Sequence, residues 1–345
     1  MIVAPKEQNL LDNRDERLSS FYHVVAKSAD IDDSPTTISI LGNDYVIFRR
    51  EGEIVAFEDR CPHRGAPISV GNFCDDYVEC GYHGWKFGYD GVCVDIPALG
   101  EGGAIPKAAK LSSPYAVVER YGLIFVAVQE PKAEIIEIEE FSDPNFDTGY
   151  LETFEARQHA AFLADNFLDV AHFPFVHSST FGDGEDKVVG DFEIVEDGTS
   201  FTATYEHSFS NREDPLVRTG EHELVQRRRL TYRYVPPFQL TLRIDFLATG
   251  GVNTIAFFVT PTAERSSRLY SLLVRNDLGG SKLAMGEAVA YEEKIIVEDL
   301  AVQEAYSAKG FPLSASGFVN TRADRVTSTF RRKLREALGE DVSDE

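Results

Sequence analysis

Hydrophobic and polar positions alternate over short stretches in the first third of the chain, and this pattern predicts β-strands. In residues 36–60, TTISILGNDYVIFRREGEIVAFEDR, apolar runs are separated by Gly42-Asn43-Asp44 and by Glu51-Gly52, which predict two turns. Short runs punctuated by Gly, Pro and Asp continue to about residue 129. We therefore predict an all-β domain over residues 21–130, preceded by a leader of residues 1–20.

The pattern changes after Pro131, where the acidic segment KAEIIEIEEFSDPNFDTG predicts a domain boundary. Residues 131–345 then combine helical periodicity over 160–172, 283–308 and 322–338 with long alternating runs. Those runs predict strands, and they read SFTATYEHSF, QLTLRIDFLAT, NTIAFFVTPT and RLYSLLVRND. The second domain is predicted to be α+β, and with the first it places the whole chain in the α+β class.

Composition limits the function classes. The chain has 345 residues, 43% of them hydrophobic, and its longest apolar run, GLIFVAV, is far shorter than the roughly 20 residues that a membrane-spanning helix needs. The N-terminal residues show no apolar core followed by a small-residue cleavage site, so we expect a cytoplasmic protein. A net charge of -23 argues against nucleic acid and anionic membranes as partners.

Three of the four cysteines lie between residues 61 and 80, and two of them have a histidine close by. Cys61 and His63 form one Cys-x-His arm, and Cys80 and His83 form a Cys-x-x-His arm. Zinc sites usually repeat cysteines in one arm and histidines in the other, whereas a Rieske [2Fe-2S] cluster needs one thiolate and one imidazole from each loop. The mixed arms favour the cluster over a structural zinc knuckle.

The two remaining cysteines, Cys74 and Cys93, have no histidine at the required spacing. We expect both to be small buried apolar residues, with a disulfide as the alternative.

A second group of polar residues lies in HAAFLADNFLDVAHFPFVH. Helical spacing makes Asp169 and His172 neighbours, and Pro174 predicts that the helix ends near Phe173, so that the chain turns and brings His177 back towards His172. Two imidazoles beside a carboxylate, in an otherwise apolar segment, are typical of a 2-His-1-carboxylate site for Fe(II).

Three acidic residues compete to be the carboxylate ligand. Asp169 is better placed to accept the second ring N–H of an iron-bound histidine. In YEEKIIVEDLAVQEAY, Asp299 shares an apolar stripe with Ile296 and Val302, where an acid is costly unless it binds something. Glu298, the neighbouring acid, fits the stripe less well and is the rival ligand.

Together these motifs resemble those of the Rieske non-haem iron oxygenases, and specifically the vanillate and dicamba O-demethylase type. The similar segments are CPHRGAP, CGYHGW, Asn-x2-Asp-x2-His-x4-His and EDLAVQE. The resemblance implies an N-terminal Rieske domain and a helix-grip, START-like catalytic domain, in which a curved antiparallel sheet holds an apolar cavity. It implies that a [2Fe-2S] cluster is held by Cys61, His63, Cys80 and His83, and Fe(II) by His172, His177 and Asp299.

The resemblance also assigns two further residues. Asp169 would link His172 to His83 of a neighbouring subunit, which implies a homotrimer. Asn166 matches a residue of the catalytic site whose role stays open.

The implied activity is that of a terminal oxygenase component. No nucleotide-binding motif is evident, so electrons from NAD(P)H would arrive through a ferredoxin or a flavin reductase. The implied reaction is monooxygenation or oxidative demethylation of a small aromatic or heterocyclic substrate, in a cavity lined by Phe238 and Phe257 without an evident carboxylate anchor. The alternatives are a ring-hydroxylating dioxygenase for neutral aromatics and a non-catalytic electron-transfer or ligand-binding protein.

Overall fold

The computed structural model describes residues 10–182, 187–211, 217, 219–314 and 318–342. The chain forms two compact units. The N-terminal unit contains residues 14–132 and 262–264, and the C-terminal unit contains the remaining described residues.

The N-terminal unit is built from short antiparallel strands in three small sheets, with strand orders β10-β11-β2, β3-β4-β5 and β6-β7-β8-β9. The prediction of an all-β fold is confirmed. The strands, numbered along the whole chain so that β1 belongs to the other unit, are β2 (His23–Lys27), β3 (Thr36–Ile40), β4 (Asn43–Arg50), β5 (Glu53–Glu58), β6 (Asn72–Phe73), β7 (Tyr77–Glu79), β8 (Lys86–Gly88), β9 (Cys93–Asp95), β10 (Ala116–Arg120) and β11 (Leu123–Ala127).

The first of the two predicted turns lies slightly earlier than expected. Leu41 and Gly42 connect β3 to β4 with φ of 54° and 81°, and Asn43 already belongs to β4. A Cβ at Gly42 would also lie 2.9 Å from Cδ of Arg14, so this position requires glycine. The second turn is at Glu51-Gly52, as predicted.

The core of the N-terminal unit contains Phe48, Phe57 and Phe87 together with Cys93. Cys93 is buried as predicted, while Cys74 is only half-buried. All four cysteines are free thiols, so the disulfide alternative is wrong.

The C-terminal unit is dominated by an eight-stranded sheet. Its order is β12-β19-β18-β17-β16-β15-β14, and β13 pairs with the other part of β19. A separate two-stranded sheet pairs β1 with β20. The strands are β1 (Leu10–Leu11), β12 (Asp147–Tyr150), β13 (Phe154–Ala156), β14 (Glu193–Asp197), β15 (Ser200–Ser210), β16 (Val225–Val235), β17 (Gln239–Phe246), β18 (Val252–Ala263), β19 (Ser266–Arg275) and β20 (Phe311–Pro312).

The α-helices with described bounds that accompany this sheet are α1 (Ala160–Phe167), α2 (Phe173–Val176), α3 (Lys282–Gln303) and α4 (Arg325–Ala337). The Ser281 hydroxyl caps α3 by accepting from the Ala284 N–H at 3.2 Å. The long helix α3 packs against β12, α1 and α2. Few helices on an antiparallel sheet confirm the predicted α+β class.

Two helix boundaries differ from the prediction. The first helix ends at Phe167 and not at His172, because the Asp169 carboxylate accepts from the Ala171 N–H at 2.9 Å and supports a turn there. Pro174 does not stop a helix but lies in the first turn of α2, where its missing N–H costs nothing. Helix α3 ends at Gln303, five residues before the predicted end.

Among the described residues, no helix combines the length and the apolar character needed to cross a bilayer.

Candidate metal centres

The two Cys-His arms of the N-terminal unit form loops with the same backbone hydrogen bonds. In each loop the cysteine N–H donates to the carbonyl five residues later, at 2.7 Å for Cys61 and 2.8 Å for Cys80. The glycine four residues after each cysteine donates back to the cysteine carbonyl, at 2.9 Å for Gly65 and 3.0 Å for Gly84. Both glycines have positive φ, 72° and 70°, which explains why glycine stands there.

These paired loops bring the predicted cluster residues together. The rings of His63 and His83 lie 4.5 Å apart between centroids, and Trp85 stacks on His63 at 4.5 Å with an interplanar angle of 8°. Cys61 and Cys80 are both 1% exposed. Nδ1 of His63 is buried without a hydrogen-bond partner among the described residues, which fits a nitrogen that ligates a metal.

The thiol of Cys61 is protonated when no metal holds it. Burial, reinforced by the nearby thiol of Cys80, raises the pKa of Cys61 to about 11. A buried thiol of this kind becomes a thiolate when it binds a metal, which replaces its proton.

In the C-terminal unit, His172, His177 and Asp299 converge. The Nε2 atoms of the two histidines are 3.1 Å apart, and Oδ1 of Asp299 lies 3.3 Å from each. One ligand atom from each residue lies within 4.8 Å of the others. His172 comes from the turn before α2, His177 follows α2, and Asp299 lies on α3.

The hydrogen bonds around this triad fix which ring atoms face one another. Nδ1 of His172 donates to Oδ2 of Asp169 at 3.1 Å, and Nδ1 of His177 donates to Oε2 of Glu298 at 2.9 Å. Both Nε2 atoms therefore present lone pairs to Oδ1 of Asp299, which has no hydrogen-bond partner in the described part of the chain. Three lone-pair atoms facing one another repel unless a cation or a proton lies between them, so the residues present fit a metal ion.

The pKa values of His172 and Asp299 also reflect the interaction between these residues. Burial by itself lowers the pKa of His172, but the carboxylates of Asp169 and Asp299 raise it to about 9. Burial by itself raises the pKa of Asp299, but His172 and His177 lower it to about 2. A proton is therefore held within the metal-free triad, and a metal ion would displace it.

The rival residue, Glu298, is placed differently from Asp299. Its Oε2 accepts from Nδ1 of His177 and from Oγ1 of Thr180, at 2.9 and 2.8 Å, and its Oε1 accepts from Oγ of Ser179. These hydrogen bonds outweigh burial and lower the pKa of Glu298. The sequence pattern gave no sign of this role, because Ser179 and Thr180 lie more than a hundred positions away.

Asn166, also predicted to belong to the site, lies on α1 and accepts from Nε2 of Gln303 at 2.6 Å. Gln303 in turn accepts from Nε2 of Gln158 through its backbone carbonyl, also at 2.6 Å. Asn166 thus joins α1 to the end of α3. The two glutamines were not predicted.

The model of the vanillate O-demethylase oxygenase C-terminal domain matches residues 156–340, more than half of the chain, and the Rieske [2Fe-2S] domain model matches residues 21–118. The chain belongs to the Rieske non-haem iron oxygenases. As a Rieske oxygenase it is a terminal oxygenase component, and its cofactors are a Rieske [2Fe-2S] cluster and a mononuclear iron.

Two Rieske oxygenases of Pseudomonas putida are similar over most of the chain. The methylxanthine N1-demethylase NdmA is 25% identical over 96% of this chain and 92% of its own length. The methylxanthine N3-demethylase NdmB is 25% identical over 86% of this chain and 81% of its own length.

Solved structures share the fold of this oxygenase. The structure of NdmB has a TM-score of 0.80 at 22% identity, covering 96% of this chain and 94% of that one. Dicamba monooxygenase bound to 3,6-dichlorosalicylic acid also has a TM-score of 0.80, at 21% identity, covering 93% of this chain and 98% of that one.

A cavity of about 180 Å³ adjoins the triad of this oxygenase, and His172, His177 and Asp299 line it. Most of its wall is apolar. Phe257 lines it as predicted and stacks on Phe167, with ring centroids 4.6 Å apart and an interplanar angle of 11°.

Two expectations about the cavity were wrong. Phe238 is 2% exposed and does not line the cavity in the described structure. The cavity also contains a cationic side chain, because Arg228 on β16 points to the same side of the sheet as Leu230 and Tyr232. Arg228 donates from Nε to Nε2 of His207 at 2.8 Å, and its guanidinium carbon lies 4.5 Å from the ring centre of Phe209.

Proposed function

We propose that His172, His177 and Asp299 hold the mononuclear iron, and that the cavity beside them binds a small aromatic or heteroaromatic substrate for oxygenation. The observation that carries this proposal is the convergence of the three ligand atoms at the wall of an apolar cavity. In the N-terminal unit, the cluster ligands are Cys61, His63, Cys80 and His83. The bound iron would supply the activation of O2. The side chains around it would hold the iron, orient the substrate and exclude water.

The side chains around the iron have three tasks. The two histidines and Asp299 provide a set of two neutral ligands and one anionic ligand, which is the set typical of Fe(II) sites that keep positions open. The stacked rings of Phe167 and Phe257 give a planar substrate a flat apolar surface. Apolar walls exclude water, which strengthens the electrostatic interactions at the site.

Oxidative demethylation is the reaction that we favour. The family model matching the catalytic unit describes a vanillate O-demethylase, and NdmA and NdmB are named as N-demethylases. The balanced reaction joins a methyl ether or N-methyl substrate, O2, two electrons and two protons to give the demethylated product, formaldehyde and water. Ring hydroxylation is the alternative, and the number of oxygen atoms from O2 in the product distinguishes the two.

Electrons come from a separate redox protein in this proposal, a ferredoxin or a flavin reductase that uses NAD(P)H. Asp169 would carry the connection from the cluster of a neighbouring subunit to His172, because its carboxylate already accepts the His172 ring N–H. This route requires a head-to-tail ring, and a homotrimer is the assembly that we propose. A location in the cytoplasm stays a prediction.

The first experiment is anaerobic purification followed by iron and sulfide analysis and EPR after dithionite reduction, with and without nitric oxide. We expect three irons and two sulfides per chain, a Rieske signal and a separate iron-nitrosyl signal. A Rieske signal with two irons and no nitrosyl species would contradict the oxygenase proposal and leave an electron carrier or binding protein.

The substrate class is then tested with a panel of methoxyarenes, N-methyl heterocycles and their unmethylated analogues. A surrogate ferredoxin and reductase supply the electrons. Demethylation predicts formaldehyde in a one-to-one ratio with product. Incorporation of two labelled oxygen atoms from ¹⁸O2 into an unmethylated ring would contradict it and support dioxygenation.

A further inference from the structure

Glu298 lies next to the ligand Asp299 on α3, yet its carboxylate points to a different set of partners. Both of its oxygen atoms are engaged by one short segment, residues 177–180. Oε2 accepts from His177 Nδ1 and Thr180 Oγ1, and Oε1 accepts from Ser179 Oγ. The Lys294 ammonium, one turn earlier on α3, donates to the Ser179 carbonyl at 3.3 Å.

We propose that Glu298 is a positioning residue for the mononuclear iron, holding His177 as a ligand through Nε2. This inference rests on the proposed iron site and adds to it a role for a residue that the metal does not touch. The ring of His177 is 1% exposed, so it has little freedom to find another hydrogen-bond acceptor.

The first reason is the choice of ring nitrogen. A neutral imidazole carries its proton on one nitrogen and offers the other as a ligand, and the hydrogen bond made by the first fixes the choice. Because Glu298 accepts from Nδ1, the lone pair of His177 is on Nε2, which faces His172 and Asp299. Without this acceptor, the proton could move to Nε2 and occupy the position of the metal.

The second reason is that Glu298 and Asp299 lie in the same turn of α3. Consecutive residues on α3 contribute a ligand, Asp299, and the acceptor that orients another ligand, His177. A displacement of α3 therefore moves both groups together, which preserves their relative position. The Thr180 hydroxyl lies 2.8 Å from Oε2 of Glu298 and 3.1 Å from the carbonyl of His177, so its one proton is shared between these two acceptors.

The third reason is the contrast with Asp169. Asp169 does for His172 what Glu298 does for His177, but Asp169 is a turn residue with its other oxygen engaged by the Ala171 N–H. Each histidine thus has its own carboxylate. The geometry favours Asp299 over Glu298 as the ligand, since hydrogen-bond donors from residues 177–180 already engage both oxygens of Glu298.

The test compares Fe(II) binding by Glu298→Gln with binding by the wild type and by Glu287→Gln. Glu287 is exposed on the same helix, so its variant makes the same chemical change away from the site. The full-length protein, carrying its cluster, is depleted of mononuclear iron and titrated anaerobically with Fe(II), followed by the nitrosyl EPR signal. We expect Glu298→Gln to bind Fe(II) about 10- to 100-fold more weakly, with Glu287→Gln unchanged.

A double variant covers the possibility that the glutamine in Glu298→Gln disturbs folding. Ser179→Ala with Thr180→Val keeps the carboxylate but removes two of its donors, and we expect a smaller loss of Fe(II) affinity in the same direction. The Rieske EPR signal is the internal control and should be unchanged throughout, which a general loss of structure would not allow.

The outcomes separate this inference from the proposed function. If the wild type takes up Fe(II) and Glu298→Gln binds it equally well with the same nitrosyl spectrum, the positioning role is overturned while the iron site stands. If the wild type takes up no Fe(II), the iron site falls, and the positioning role with it.

Discussion

At the scale of single residues, the two histidines of the proposed iron site have different hydrogen-bond partners. Nδ1 of His172 donates to Asp169 in a turn, and Nδ1 of His177 donates to Glu298 on a helix. Each carboxylate accepts a hydrogen bond from Nδ1 of one histidine, but only Asp169 is proposed to lie on the electron-transfer route. Substituting each one should therefore have a different effect on the enzyme.

We predict that Asp169→Asn, like Glu298→Gln, binds Fe(II) more weakly, and that the iron-loaded variant still receives electrons at least about tenfold more slowly, because the amide lacks the charge of the carboxylate. Single-turnover reoxidation of the reduced cluster by O2 and substrate, followed optically, measures this step. Reoxidation at the wild-type rate would contradict the assigned route, and iron analysis of the same sample shows whether the metal was lost instead.

His23 gives a second prediction at this scale. It is buried, its Nε2–H donates to the Leu18 carbonyl at 2.9 Å, and burial lowers its pKa from 6.5 to about 4. The unfolded chain therefore binds more protons than the folded one between these values, so stability falls as the pH drops below 6.5.

Between pH 7 and pH 5 this group alone should remove about 2 kcal/mol from the free energy of unfolding. Denaturant unfolding of the wild type and of His23→Gln at both pH values tests the prediction. The difference between the two pH values should shrink in the variant, and an equal difference in both proteins would contradict it.

At the scale of elements, the sequence predicts strands and helices better than it predicts their ends. The all-β first domain and the long strands follow from the hydrophobic period. Strand β16 is harder to predict from the sequence, because its alternation of inward and outward residues is interrupted by three consecutive arginines, 227–229. The inward-facing residues include Gln226, Leu230 and Tyr232. Arg228 also faces inwards, which no hydropathy pattern indicates.

For the candidate site too, the sequence predicts some features and not others. Ligand types and short spacings are local, so the four cluster residues and the two histidines were predicted from their motifs. Asp299 was selected by its apolar stripe. The roles of Glu298, Ser179 and Gln303 depend on contacts between segments more than a hundred residues apart, and a single sequence does not record such contacts.

The packing of β12 against α3 leads to a prediction about two glycines. A Cβ at Gly149 would lie 2.5 Å from Sδ of Met285 and 2.9 Å from Cγ2 of Val289, whereas nothing lies within 4 Å of a Cβ at Gly286 on α3. We expect Gly149→Ala to cost about 1–2 kcal/mol through overpacking. Gly286→Ala should stabilise the protein by about 0.5–1 kcal/mol, because glycine is a poor helix residue.

Thermal or denaturant unfolding of both variants checks these values. The two substitutions add the same methyl group and should have opposite signs. A stable Gly149→Ala protein would show that α3 can move away from β12 at no cost.

At the scale of the whole molecule, two metal centres depend on different parts of the chain. The proposed cluster ligands all lie in the N-terminal unit, and the proposed iron ligands all lie in the C-terminal unit. One centre can therefore be removed by substitution while the other is kept.

We use this separation for a prediction about the assembly. Cys61→Ser should lose the cluster, His172→Ala should lose the iron, and each variant alone should be inactive. If electrons cross between neighbours in a ring, co-expression of the two should restore up to about a quarter of wild-type activity, the share of correctly ordered neighbours in random mixing. An inactive mixture of properly assembled oligomers would place the transfer within one chain.

The proposed iron ligands are also separated along the chain, since His177 precedes the sheet strands β14 to β19 and Asp299 follows them. When His177 has just been synthesised, most of the sheet has not yet been made. Asp299, the third proposed ligand, is synthesised last. The four cluster residues, by contrast, are complete by His83. Because domains generally fold in order of synthesis, we expect maturation to be sequential, with the cluster assembled on an early intermediate and iron admitted only after the chain is nearly finished.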